Sequence, residues 1–95
     1  MILARVAGTV VASARADGVR GPSFLLVQPC SAEGRPKGDM LVALDAMGVG
    51  IGETVLVSQG PSARQASVSD KKPIDALVCA VVDLVEEHGA VVFRK

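Results

Sequence analysis

The most constraining stretch lies in the middle of the chain. Residues 45–53 read Asp45-Ala-Met-Gly-Val-Gly-Ile-Gly-Glu53 and run straight into Thr54-Val-Leu-Val-Ser58. Glycines at 48, 50 and 52 call for backbone freedom or for close approach of another backbone. A glycine-rich loop can also cradle phosphate, but that mechanism needs a helix N-terminus directly after it. Here an apolar strand follows and no Gly-Lys-Ser/Thr is present, so the phosphate reading fails on context. Gly60-Pro61 then opens a short helix: proline suits a first helical position, and Ser62 and Gln65 have capping-box spacing. The polar residues 67–72 and then Pro73 end it.

The remaining segments read as strands that this middle region joins and turns. Residues 2–13 alternate with period 2: the even positions Ile2, Ala4, Val6, Gly8, Val10 and Ala12 carry no polar side chain. Gly8 predicts a bulge or sharp bend, which a barrel needs where a strand turns a corner. Strands are expected at 24–28, ended by Pro29, and at 40–45; turn-rich loops at 15–22 and 31–39 make these first three a meander. Further strands are expected at 54–58, at 76–85 and, after a Glu-Glu-His-Gly turn, at 90–94. The predicted fold is all-β: one domain over residues 1–95, a small, partly open OB-like barrel of five to six strands with one short helix before the fifth.

Composition then narrows the function. Hydrophobic residues make up 49% of the chain but aromatic ones only 2%, with no Trp or Tyr. The apolar content is therefore mostly Val, Ala and Leu, in a chain too short to bury a large core. That leaves aliphatic surface for a partner to cover, or else a tightly packed aliphatic core with ordinary surface alanines. An OB-type barrel that binds single-stranded nucleic acid needs a basic groove and aromatic stacking platforms. Ten basic residues balance ten acidic ones, and Phe24 and Phe93 are the only aromatics, so no nucleic-acid partner is expected. No apolar run approaches the ~20 residues of a membrane span, and no signal peptide is evident, which leaves a cytoplasmic protein without a membrane partner. Cys30 and Cys79 lack paired-ligand spacing and read as free thiols in a reducing compartment.

No catalytic set converges. His88, the single histidine, sits in a turn beside Glu86 and Glu87, and a metal site needs three or four ligands. Asp45, Glu53 and Asp75 stand at strand ends or turns, where carboxylates serve local hydrogen bonding. Asp83, inside an apolar segment, faces solvent, caps a turn or pairs with an arginine. Ser62 has no placed base, and Arg64 is either a bidentate partner of a carboxylate or a solvated surface residue. No catalytic residue, cofactor or metal is assigned, and the protein is not expected to be an enzyme.

Several segments, in order and at family spacing, carry a resemblance. They are Val6-Ala-Gly-Thr-Val-Val11, Leu25-Leu-Val-Gln-Pro29, Leu41-Val-Ala-Leu-Asp45, Gly48-Val-Gly-Ile-Gly-Glu53 with Thr54-Val-Leu-Val57, Gly60-Pro-Ser-Ala-Arg64 and Pro73-Ile-Asp-Ala76. With these, nearly the whole chain resembles the vertex proteins of bacterial microcompartments, the pentameric shell proteins of carboxysomes and ethanolamine-utilisation compartments. Val49 stands where the family usually has alanine, and Pro61 where it usually has serine.

The resemblance implies a cyclic homopentamer of OB-like barrels that caps the vertices of a polyhedral shell in the cytoplasm. Its further partners would be the hexameric shell proteins that tile the faces, met through polar loops such as 15–22 or 31–39. It also implies a subunit interface that includes Gly48, Gly50, Gly52, Glu53, Ser62, Ala63 and Arg64. Two other readings stay open: an oligomeric barrel that binds a small molecule, and, with less in its favour, an OB-type nucleic-acid binder.

Overall fold

The computed structural model describes residues 1–11, 23–45, 47–60 and 76–95. Within them the chain forms seven strands: β1 (Ile2–Val10), β2 (Ser23–Pro29), β3 (Leu41–Asp45), β4 (Thr54–Gln59), β5 (Ala76–Val81), β6 (Leu84–Glu87) and β7 (Ala90–Arg94). Five of these close a barrel in the order β1-β2-β3-β5-β4, and β6 and β7 form a separate two-stranded sheet. The first three strands are the expected antiparallel meander. The barrel closes through one parallel register pair, Leu44 with Leu77, where a partly open barrel was expected. The short helix expected after Gly60 falls outside the described residues.

Alternation builds the core. Ala4 and Val6 of β1, Leu25 and Val27 of β2, Ala43 of β3, Val55 and Val57 of β4, and Ala76 and Val78 of β5 all point inward and are buried. A five-stranded barrel has a narrow interior, filled by side chains and tapering at its ends. Valine and alanine fit that space where a ring of aromatics would not. This explains the composition: the interior takes small aliphatic residues. Even so, Met40, Val42, Met47, Ile51, Leu84 and Val91 stay exposed.

The bulge expected near Gly8 is present. The β1–β2 register skips between Val6 and Gly8, which leaves Ala7 as the extra residue. Gly8 itself has open space where a Cβ would stand. The segment expected as one strand over 76–85 divides instead. The amide of Val82 still donates to Thr54 O at 2.8 Å, but Thr54 is the first residue of β4, so beyond it no barrel strand remains to pair with. The chain leaves the barrel at Asp83 and returns as the β6–β7 hairpin, with Val85 opposite Phe93.

The hairpin turn sits at His88-Gly89, between the paired Glu87 and Ala90. Both residues have positive φ, 53° at His88 and 80° at Gly89, the pattern of a type I′ turn whose twist matches the flanking strands. Histidine pays conformational strain there that asparagine largely avoids. His88→Asn is therefore expected to raise stability by a few tenths of a kcal/mol, and His88→Val to lower it by about 1 kcal/mol. Thermal unfolding of the two variants checks the sign.

Candidate subunit-contact surface

The loop between β3 and β4 is organised by Asp45. Its side chain is buried, 5% exposed, at the end of β3. Oδ1 accepts from the amides of Met47 (2.8 Å) and Gly48 (3.1 Å), and Oδ2 accepts from the amide of Val49 (2.9 Å). One carboxylate thus satisfies three successive N–H groups, and charge-assisted bonds of this kind are the strong ones. The loop folds back over the barrel end, and Val49 joins the core cluster. Gly48 has φ +81° and Gly52 φ +90°, with open space at both Cβ positions, so these two glycines are required by backbone conformation.

The second half of the loop is stitched to β1. Gly52 N donates to Val6 O at 2.8 Å and Val6 N donates to Glu53 O at 2.9 Å. Two backbones therefore do meet at these glycines, within one chain. The cost of an added methyl at Gly52 is conformational, since nothing crowds it. Gly52→Ala is expected to destabilise the fold by about 2 kcal/mol, measured by urea unfolding. Gly8→Ala, at an ordinary φ with the same free space, is expected to be neutral or slightly stabilising.

Glu53 closes the loop. Oε1 accepts from Gly50 N at 3.4 Å, and Oε2 lies 3.3 Å from Lys95 Nζ. Lys95 Nζ also lies 3.8 Å from Asp83 Oδ1, and its amide donates to Asp83 O at 2.8 Å. Glu53 and Asp83 thus share a lysine; of the options open for Asp83 (solvent, a turn cap or an arginine), its side chain faces solvent, and its basic neighbour is Lys95 in place of an arginine. These groups are largely solvated, and each pair contributes less than about 1 kcal/mol. Their value is positional: Lys95 ties the glycine loop to the base of the β6–β7 hairpin.

This geometry settles the phosphate question independently of context. The loop's amides at 47, 48, 49, 50 and 52 already donate to Asp45, Glu53 or Val6 O. An incoming anion would have to displace two carboxylates of the chain itself. What the loop offers outward is apolar: Met47 is 52% and Ile51 67% exposed. Gly48, Gly50 and Gly52 lie between and beside them on the same turn of chain, and Glu53 borders them.

Of the residues expected at a subunit contact, Gly48, Gly50, Gly52 and Glu53 are brought together here. Ser62, Ala63 and Arg64 lie outside the described residues. Sequence reading treated Asp45 as an ordinary strand-end carboxylate and gave Ile51 and Lys95 no role. The available signal for Asp45 was a carboxylate directly before a glycine-rich turn. Lys95 is 42 residues from Glu53, and no local pattern links the two.

Elsewhere, Cys30 is buried and Cys79 exposed, and neither is in a disulfide. Burial pushes the Cys30 thiol pKa up, and the nearby Arg5 and Lys37 partly oppose that rise. Cys30, Lys37 and the start of β1 border a cleft of about 350 Å³. Among the described residues, no three His, Cys, Asp or Glu side chains converge as metal ligands.

Comparison with known proteins gives a consistent result. The family model for ethanolamine utilisation protein EutN/carboxysome matches residues 1–83. The bacterial microcompartment shell vertex protein EutN of Salmonella typhimurium is 43% identical over 95 residues, covering 100% of this chain and 96% of that protein. The solved structure of Gloeobacter violaceus CcmL superposes with a TM-score of 0.93 at 39% identity, over 100% of this chain and 98% of that one. The pentameric microcompartment shell protein GrpN from Rhodospirillum rubrum superposes with a TM-score of 0.83 at 39% identity, over 92% and 99% of the two chains.

Proposed function

The chain belongs to the ethanolamine utilisation protein EutN/carboxysome family, and from that premise we propose that it is a structural subunit forming a cyclic homopentamer at the vertices of a bacterial microcompartment shell. A solved relative of the same fold is described as a pentameric microcompartment shell protein, and curated relatives are described as shell vertex proteins. The observation in this chain that carries the reading is the exposed aliphatic loop, Met47 and Ile51 set on a glycine turn that Asp45 holds rigid. A monomer gains nothing by presenting Ile51 to water. A ring covers it, because a heterologous contact places one surface of each copy on a different surface of the next.

The subunit contact runs through Gly48, Gly50, Gly52 and Glu53, where side chains are small and another backbone can approach closely. Ser62, Ala63 and Arg64 belong to the same proposal through the family resemblance. The ring's outer edge meets hexameric shell proteins and closes curvature that hexagons alone cannot close. The role is architectural, without catalysis, cofactor or nucleic acid. The barrel interior is occupied by valine, alanine and leucine side chains, so a small-molecule site would have to lie outside it.

Electron microscopy tests the role. A hexameric shell protein produced with this chain is expected to give closed polyhedral particles, and without it open sheets or tubes. The same open assemblies in both cases would contradict the vertex role.

A further inference from the structure

We propose that the cleft between the start of β1 and the 31–39 loop is a binding site for a small carboxylate with a short aliphatic chain. The aliphatic chain lies along the apolar walls and the carboxylate meets Lys37 and Arg5. The site is outside the barrel interior and is separate from the subunit contact described above.

The cleft is built by backbone bonds on both sides. Cys30 N donates to Leu3 O at 3.0 Å, which fixes the end of β2 against β1. The loop that follows is folded tightly: Gly34 N donates to Ser31 O at 2.9 Å, Ser31 N to Arg35 O at 2.8 Å and Lys37 N to Pro29 O at 2.9 Å. Cys30 and Pro36 form a bridge across it. The resulting space is about 350 Å³, within the size range of small-ligand sites, which are largely pre-formed. Met1, Ile2, Leu3, Pro29, Cys30 and Ala32 make its walls mostly apolar. The buried Cys30 thiol, pushed up by burial, stays neutral and behaves as a small hydrophobe there.

One pole of the cleft is cationic. Lys37 lines it directly. Arg5 follows Leu3 by two residues on β1, so the two side chains leave the same face of the strand, roughly 7 Å apart; Ala4 between them points into the core. The guanidinium reaches the loop, since a Cβ added at Gly34 would stand 3.2 Å from Arg5 Nη2. Among the described residues neither cation is paired: Glu33 lies 3.8 Å from Arg35, while Glu53 and Asp83 are held by Lys95. Arg5 and Lys37 both act on the Cys30 thiol, and no carboxylate counters them there. Two unpaired cations at the edge of an apolar cleft complement an anion with an apolar tail, and the planar guanidinium matches the two oxygens of a carboxylate.

Backbone-amide NMR of the intact protein, titrated with acetate, butanoate, hexanoate and octanoate, reads the site. Octanoate is expected to saturate a single site in each chain at roughly 0.1–1 mM, with the shifts concentrated at Leu3, Ala32 and Lys37. Each added methylene is expected to tighten binding by about two- to fourfold. Lys37→Met and Arg5→Met are each expected to weaken octanoate by about tenfold and to leave octan-1-ol unaffected, with Lys37→Arg retaining most of the octanoate affinity. Shifts centred away from the cleft, or none up to 10-fold above that range, would overturn the site. A series without dependence on chain length would overturn the apolar tail, and octanoate binding unchanged in both methionine variants would overturn the carboxylate pole.

Discussion

Replacing Asp45 by alanine is expected to lower the unfolding free energy by about 3 kcal/mol. The carboxylate accepts the amides of Met47, Gly48 and Val49, and alanine removes all three acceptances at once. A buried donor left without a partner costs roughly 1–3 kcal/mol. The amide of Val49 is buried with its side chain in the core, whereas those of Met47 and Gly48 reach water once the loop relaxes, which keeps the total below the sum of three. For a domain of this size, with a net stability of roughly 5–15 kcal/mol, such a loss is large. Asp45→Asn keeps one acceptor oxygen and is expected to cost less, about 1–2 kcal/mol. Urea unfolding followed by circular dichroism gives both values. A change below about 0.5 kcal/mol for Asp45→Ala, the range of an ordinary surface substitution, would show that the loop does not depend on its carboxylate.

The second large effect is on assembly. Ile51→Asp is expected to leave the isolated subunit folded and to dissociate the ring. Ile51 is 67% exposed in the chain alone, so the subunit loses little by the exchange. In a covered contact the new charge has no partner, and burying it costs about 3 kcal/mol at each interface, more than a hundredfold in the contact equilibrium. Sedimentation velocity separates the outcomes: a monomer with an unchanged melting curve is expected, and a ring mass equal to that of the unsubstituted protein would remove Ile51 from the contact. The pairing with Asp45→Ala is informative, because that variant weakens the ring through the fold, whereas Ile51→Asp spares the fold.

Much of the barrel is legible from the chain because its signal is local. Period-2 alternation marks β1, and the inward positions Ala4 and Val6 are the buried ones. Gly8 announces the bulge at its neighbour Ala7, and the turn-rich loops between apolar runs announce the meander. The β6–β7 hairpin is half legible. Residues 90–94 stand where the return strand was expected, but the break at 82–83 depends on β4 ending at Thr54, a fact about another strand. Valine and leucine on both sides of Asp83 give that break no local mark.

The contact surface is legible in part. Three glycines show that the backbone is special, and the positive φ of Gly48 and Gly52 bears that out. They do not show that Asp45 sets the loop's shape, nor that Lys95 reaches Glu53 from the other end of the chain. Aliphatic excess suggests a covered face, and which residues remain outside appears only once the barrel has taken its share: Val55 and Val57 go in, and Ile51 stays out. The number five lies in no single chain. Its support comes from the family and from relatives described as pentameric.

Native mass spectrometry of the purified protein tests that central claim most directly. The chain mass is 9.7 kDa, and the expected species is a single ring of five times that mass, persisting on dilution into the low micromolar range. A strict monomer or dimer across the whole concentration range would contradict the account.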